Sequence, residues 1–455
     1  MGGIATSVFS FVFAIAILVA VHEWGHYIVA RMAGIKVLRF SIGFGRPLWT
    51  RIYGSDQTEF CISAIPIGGY VKLLDERDCA VTLADQGRAF NRQSIPVKTA
   101  VLAAGPILNF LFAIVAYWCM YMVGVPGLKP VIGVVEPETI AARAGLRNGD
   151  EIDAVGGRVV ATWEGAVLEI ISQLLDEGDI ELQVTDQDGS QRLTVMHAAG
   201  KESELTEPGQ LFVGLGFRPW SPVIPAVVDE LTPGGPAERA GLLAGDEVIA
   251  ADGEPVASWM EWVEFIRARP EQVMTATIVR DGVEQQLEIR IGTAEDNGES
   301  IGRIGASVRI ADDLMESMRA EQRYGPVAAL PVAVTKTWDM MALTVRMVGS
   351  MVTGNVSVKN ISGPINIAQY AGQSASIGPV AFLAFLAIVS ISLGILNLLP
   401  IPMLDGGQIA YQIVEAMKGS PLSERAQMFG QQVGILFLLL LMSFAFYNDL
   451  SRIFG

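Results

Sequence analysis

The stretch VHEWGH at residues 21–26 places two of the chain's three histidines four residues apart, with a glutamate beside the first. On an α-helix His22 and His26 stand one turn apart on the same face, so both imidazoles can reach one Zn²⁺, and Glu23 is left free to act as general base. In that arrangement zinc acidifies a water toward a pKa of ~7 and the carboxylate takes its proton. A five-residue pattern with three fixed positions also arises by chance. The surroundings weigh against chance here, because the motif interrupts an apolar run that begins with VFSFVFAIAILVAV at Val8 and resumes with YIVA. An ionisable group at the centre of a bilayer costs roughly 2.5–3.5 kcal/mol, so three within two helical turns require a function or a partner.

A catalytic zinc takes three protein ligands and keeps a fourth position open. His197 lies in a polar repeat far along the chain, and the acids of 75–85 lie in an ordinary polar loop. In SLGILNLLPIPMLDGGQIA, by contrast, Asp405 ends an apolar segment that Pro400, Pro402, Gly406 and Gly407 interrupt. Irregular backbone at membrane depth is tolerated only against protein or a water-filled cavity. Asp405 is therefore the expected third ligand; the alternative is a plain LDGG turn at the membrane surface.

Holding these groups in place requires membrane helices. The 455 residues are 51% hydrophobic and 18% charged, a balance unusual for a soluble protein. Four segments, about 8–30, 98–124, 378–400 and 431–447, approach the ~20 apolar residues that cross a bilayer, the last of them short. The first is expected to be retained rather than cleaved as a signal peptide, since residues 1–7 carry no Lys or Arg and its apolar run exceeds the usual ~7–15 residues.

Charge divides the chain. Residues 127–310 hold 32 acidic against 14 basic residues, a net of −18 within a total of −16. Residues 31–98 carry ten Lys or Arg, which places that segment in the cytoplasm and both termini and 127–310 on the opposite side. The acidic region excludes a nucleic-acid partner. Cys61, Cys79 and Cys119 have neither metal-ligand nor disulfide-framework spacing.

Within the acidic region IAARAGLRNGDEIDAVGG (140–157) matches PAERAGLLAGDEVIAADG (236–253) at ten of eighteen positions, 96 residues apart, a period of whole domains rather than solenoid units. Each copy continues with a helix-like stretch and then alternating strand-like runs. These segments resemble the PDZ family, whose members bind extended peptides as an added strand. Two PDZ-like domains are expected, 127–220 and 221–310. Residues 311–375 contain Met-rich apolar stretches broken by Lys336, Asp339 and Arg346, the pattern of an amphipathic helix at the membrane interface coupling the outer domains to the core.

A hydrolase acting on a membrane helix must also open it, because i→i−4 hydrogen bonds and side chains hide the peptide bonds. KVLRFSIGFG and TEFCISAIPIGG have partly alternating, β-branched and aromatic character, with turn residues from Tyr53 to Asp56 between them. They predict a membrane-associated hairpin whose edge receives unwound substrate as a strand, with Gly43 and Gly45 permitting close backbone approach. The alternative is a hairpin that only packs.

HEWGH in the first span, NLLPIPMLDGG in the third and the tandem repeat between the second and third resemble the site-2 protease family of intramembrane metalloproteases. VLRFSIGFGRPLW, IPIGGYVKLLDE, AAGPILNF and ISGPINIA extend the similarity to bacterial members over nearly the whole chain. The resemblance implies that His22, His26 and Asp405 hold Zn²⁺, that Glu23 is the base and that Asn397 helps bind the substrate backbone. It further implies a bacterial inner-membrane location with the PDZ domains and both termini periplasmic, and membrane lipid as surroundings. The implied substrates are an anti-sigma factor already trimmed by another protease, in envelope-stress signalling, and remnant signal peptides. Gln408 stands where many relatives have histidine, a position that is not a metal ligand in the family.

The expected architecture is a polytopic α-helical membrane protein with four transmembrane helices, a membrane-associated β-hairpin and two inserted tandem PDZ (α+β) domains. It divides into 1–126, with the HExxH motif, the two PDZ-like domains, the interfacial 311–375, and 376–455 with LDGG. A membrane-embedded PDZ scaffold or sensor is the competing reading, but it has no need of Glu23, His22, His26 and Asp405 together.

Overall fold

The computed structural model describes residues 2–78, 80–296, 299–309, 316, 318–420 and 422–454. Among them are nine helices of eight or more residues. They are α1 (Gly2–Met32), α2 (Ile95–Val123), α3 (Trp163–Asp176), α4 (Trp259–Arg267), α5 (Pro326–Thr353), α6 (Pro364–Ile377), α7 (Pro379–Leu398), α8 (Asp405–Lys418) and α9 (Glu424–Phe454). Four carry stretches long and apolar enough to cross a membrane: Ile4–Met32, Ile95–Val123, Pro379–Leu398 and Arg425–Arg452. The fourth is longer than its apolar run suggests. Gln, Met, Arg and Leu around it are good helix formers, so the helix continues past the point where hydropathy falls.

Small residues set the membrane core. Ala113, Ala116 and Tyr117 of α2 pack with Ala387, Ile391 and Ile395 of α7 and with Ala329 and Ala333 of α5. Lipid gives no hydrophobic drive between helices, so close contact through such residues does the holding. Gly25 of α1 lies against the Ala104 backbone, where an added Cβ would overlap the carbonyl.

The two strands after α1, β1 (Val37–Tyr53) and β2 (Thr58–Leu73), are longer than the expected hairpin arms and fold over one another. Arg39–Ile42 lie opposite Lys72–Gly69 on one side and, running in the same direction, opposite Glu59–Ile62 on the other. Trp49–Tyr53 then pair with Ile62–Thr58. Two strands thus make four rows, with the first part of β1 enclosed and Gly69–Leu73 at a margin. The turn at residues 54–57 is tied back by Asp56, which binds Arg31 and Arg88.

The acidic region holds two four-stranded sheets of matching order. In the first, Glu151–Val155 and Asp179–Thr185 are central; in the second, Glu247–Ala251 and Val273–Arg280. Each has its own core, around Ile170 and Leu174 of α3 and around Trp262 and Ile266 of α4. The shared AGL…GDE segment forms the same cap twice: Arg147 N–H donates to Asp150 Oδ2 at 2.7 Å and Leu243 N–H to Asp246 Oδ2 at 2.8 Å. The expected boundary at 310/311 and Cys79 lie outside the described residues.

In the stretch expected to be interfacial, α5 packs along α2 and α7. Its charges face the first inserted domain. Lys336 binds Glu164 at 3.1 Å, Asp339 binds Arg158 at 3.0 Å, and Arg346 binds Asp176 and Ser172. At its base, Val125–Leu128 pairs with Arg319–Gln322, so both ends of the insertion meet.

Candidate metal centre

The third apolar helix stops at Leu398, and a tight turn, with Ile401 N–H donating to Leu399 O at 2.7 Å and Leu404 N–H to Ile401 O at 2.8 Å, starts α8 at Asp405. Gly406 and Gly407 follow for a steric reason: a Cβ on either would overlap the carbonyls of Leu398 and Ile401. The turn delivers Asp405 to the HEWGH face of α1.

Three ligand atoms converge there. His22 Nε2 is 3.2 Å from His26 Nε2 and 3.2 Å from Asp405 Oδ2, and His26 Nε2 is 3.5 Å from the same oxygen. In a tetrahedral site with metal–ligand bonds of ~2.0–2.1 Å, the ligand atoms stand about 3.3–3.4 Å apart. The observed edges of 3.2, 3.2 and 3.5 Å lie on either side of that length. Asp405 Oδ2 is buried and takes no hydrogen bond. A carboxylate oxygen left so, between two imidazole nitrogens, suits a cation that all three can share. The donor set, two imidazoles and one carboxylate, is one that zinc accepts.

Behind the ligands, His26 Nδ1 lies 2.8 Å from Val101 O of α2. Gly105 lets α2 approach, since its Cβ would overlap His26 Nε2 and stand 2.7 Å from His22 Cε1.

The ligands open onto a cavity of about 590 Å³ that Glu23, Asn109, Asn397, Gly68 and Val71 also line. Glu23 therefore faces the same space as the metal-ligating atoms, and Asn397 enters from the last turn of α7. Gly43 and Gly45 do not line the cavity; Phe44 between them does. They have φ of +92° and +88°, and a Cβ on Gly43 would stand 2.9 Å from the Ser63 and Ile65 carbonyls. Their place in the fold is the corner at which β1 doubles back. The strand that meets the cavity is Gly69–Leu73, where Gly69 has no room for a Cβ beside Val19 and Glu23.

Asn109 and Gly105 were missed as individual site residues by the sequence reasoning. The signal available in the sequence is a lone carboxamide and a Gly-Pro pair inside the apolar AAGPILNF.

The model of peptidase family M50 matches residues 10–441. Over 452 residues the chain is 42% identical to the regulator of sigma E protease of Salmonella typhi, covering 98% of each. It is 40% identical to the regulator of sigma-E protease RseP of Escherichia coli K12 over 449 residues, again 98% of each. With the Neisseria meningitidis chain NMA0084, whose name assigns it to the zinc metalloproteases, the identity is 42% over 98% of this chain and 99% of that one.

Proposed function

Because the chain belongs to peptidase family M50, whose members are zinc metalloproteases, we propose that it hydrolyses a peptide bond within the membrane-spanning segment of another membrane protein. The observation that carries this reading is the triangle of His22, His26 and Asp405 with edges close to those of a zinc site, and Glu23 on the same cavity between apolar helices. The three would hold the ion. Zinc held there would supply Lewis-acid chemistry, acidifying a water and polarising the scissile carbonyl. Glu23 takes the proton and returns it to the leaving amide nitrogen. Asn397 offers its carboxamide to the substrate backbone.

An apolar cavity of about 990 Å³ runs along α7 past Val380, Ala384, Ile388 and Ser392 to Leu396, one residue from Asn397. A substrate helix would lie along that stripe, beside the site rather than in it, since the two cavities share no lining residue. Once unwound, the segment would add as a strand to Gly69–Leu73, the row of the sheet that lines the catalytic cavity. Gly43 is buried and Gly45 exposed, and their left-handed backbone gives both the task of folding the sheet.

The two inserted domains, 127–220 and 221–310, are read as PDZ domains lying on the periplasmic side with both termini, in a multi-pass protein of the bacterial inner membrane. The related chains are named as regulators of sigma E, which supports a trimmed anti-sigma factor as substrate, with remnant signal peptides as a second class.

The test is cleavage of a transmembrane reporter by the purified chain with zinc measured in parallel. Glu23→Gln is expected to keep zinc and lose hydrolysis, while alanine at His22, His26 or Asp405 lowers zinc content. The chelator 1,10-phenanthroline is expected to inhibit. Cleavage by Glu23→Gln at the parent rate overturns the assignment.

A further inference from the structure

Asn109 is fully buried on α2, where a polar side chain is costly unless it is satisfied. Its Nδ2 stands 3.2 Å from His22 Nδ1, and its Oδ1 has no hydrogen-bond partner. The backbone at this position is clamped, because Ser390 of α7, also fully buried, donates its hydroxyl to Asn109 O at 2.9 Å. A carboxamide keeps its shape when its oxygen and nitrogen exchange places. The two orientations have opposite consequences for the ligand. If the nitrogen donates to Nδ1, the ring's own proton must sit on Nε2, aimed at Asp405 Oδ2 and His26 Nε2. If the oxygen faces Nδ1, it accepts that proton and leaves the Nε2 lone pair free.

His26 shows which arrangement the site uses. Val101 O can only accept, so its 2.8 Å contact fixes the proton on His26 Nδ1 and frees Nε2. Metal-ligating histidines generally donate the second ring N–H to such an acceptor, and losing it weakens metal binding. We propose that Asn109 is a positioning residue for His22, its carboxamide oxygen accepting the Nδ1 proton so that Nε2 is held ready for zinc. The inference rests on the reading of His22 as a ligand. It gives each imidazole its own acceptor on α2, one a backbone carbonyl and the other a side chain that can be changed.

The experiment uses the full chain in detergent. Zinc affinity is measured by competition with a chromophoric chelator for the parent, Asn109→Leu, Asn109→Asp and His22→Ala. Leucine keeps the bulk without an acceptor, whereas aspartate keeps the acceptor without the amino group. The expected result is affinity weakened about 10- to 100-fold by Asn109→Leu and retained by Asn109→Asp. Equal weakening by both, or parent affinity in Asn109→Leu, overturns the proposal. Loss of zinc in His22→Ala with no change in Asn109→Leu removes the positioning role alone, while unchanged zinc in His22→Ala removes the ligand reading on which it rests. Should Asn109→Leu not fold, ¹⁵N-histidine spectra of the metal-free parent and Asn109→Asp decide. A His22 proton on Nδ1 in both supports the proposal; a proton on Nε2 in the parent overturns it.

Discussion

Glycine at the contact of α1 with α2 lets the two helices approach at the candidate centre. Gly105 has no side chain because the two imidazoles occupy that space, and Gly25 has none because the Ala104 carbonyl does. Gly105→Ala inserts one methyl group against both rings and must push a helix or an imidazole aside. The expected outcome is zinc content well below that of the parent with the helices still formed, measured by metal analysis beside circular dichroism. Since ~0.5 Å of misplacement is enough to spoil a preorganised site, hydrolysis should fall further than zinc does. Parent-like zinc and turnover in Gly105→Ala would show that α2 yields freely and that the close approach is incidental.

The sheet and the sheet-bearing domains ask different things of their elements. Gly69–Leu73 can receive a strand only from a substrate helix that has opened, and the cost of opening drops by up to ~1 kcal/mol per Gly and ~3 per Pro relative to alanine-rich helix. Transmembrane reporters containing Gly, Pro, Asn or Ser near the cut are expected to be cleaved faster than matched poly-Leu segments. Equal turnover would remove the role given to the sheet. In the second inserted domain the Asp246 carboxylate, buried against Arg280 at 2.6 Å, anchors the AGL…GDE turn. Burial pushes its pKa up, but the Arg280 hydrogen bonds, the Leu243 N–H and the Arg280 charge outweigh this and hold it below the usual carboxylate range. A depressed folded-state pKa gives stability that is complete above the unfolded value of ~3.9 and is lost as pH falls through the folded one. Hydrogen exchange over 226–308, relative to the intrinsic rate at each pH, is therefore expected to quicken in acid below about pH 4. Asp246→Asn should quicken it at neutral pH and flatten that acid dependence.

For the whole molecule, the first inserted domain is fastened to α5 by Lys336, Asp339 and Arg346, and α5 is packed against α2 and α7. A domain held in this way stands beside the cavity along α7, which Glu164 of that domain lines. A substrate with a large folded outer domain should collide with it, whereas one trimmed to a short tail should pass. The pairing of Val125–Leu128 with Arg319–Gln322 gives a place to test this, because Lys129 N–H already donates to Met318 O at 2.9 Å. Replacing 130–317 by a short linker joins chain ends that are already neighbours. The expected outcome is that the parent cleaves one transmembrane segment only below a certain size of fused outer domain and that the shortened chain has no such cutoff. A size-independent parent, or a folded and active shortened chain with the same cutoff, would leave the domains as a docking scaffold. The acidic face should add repulsion toward acidic tails that weakens as salt shortens the Debye length.

Local pattern determined a good deal by itself. The four-residue spacing of His22 and His26 sets them on one helical face in any fold, long apolar runs define membrane segments, and the 96-residue repeat yields two like sheets because each copy carries its own core and its own AGL…GDE turn. Pro400, Pro402, Gly406 and Gly407 likewise announce a broken helix at Asp405. What the sequence could not settle is which helix faces meet. An apolar helix is apolar all round, so nothing in its periodicity says that Asn109 will face His22, that Gly105 will sit beneath two imidazoles, or that Lys336 and Arg346 will face an inserted domain rather than lipid headgroups. The doubling of β1 and β2 was hidden for a related reason. Alternation along a strand fixes its two faces but not its neighbours, and it is the positive φ at Gly43 and Gly45 in β1 and at Gly68 in β2, in the folded chain, that makes one hairpin into four rows and leaves Gly69–Leu73, not Gly43 and Gly45, to meet the cavity. Helix rotation and strand pairing are decided by contacts between residues far apart in the chain, and those exist only in the tertiary structure.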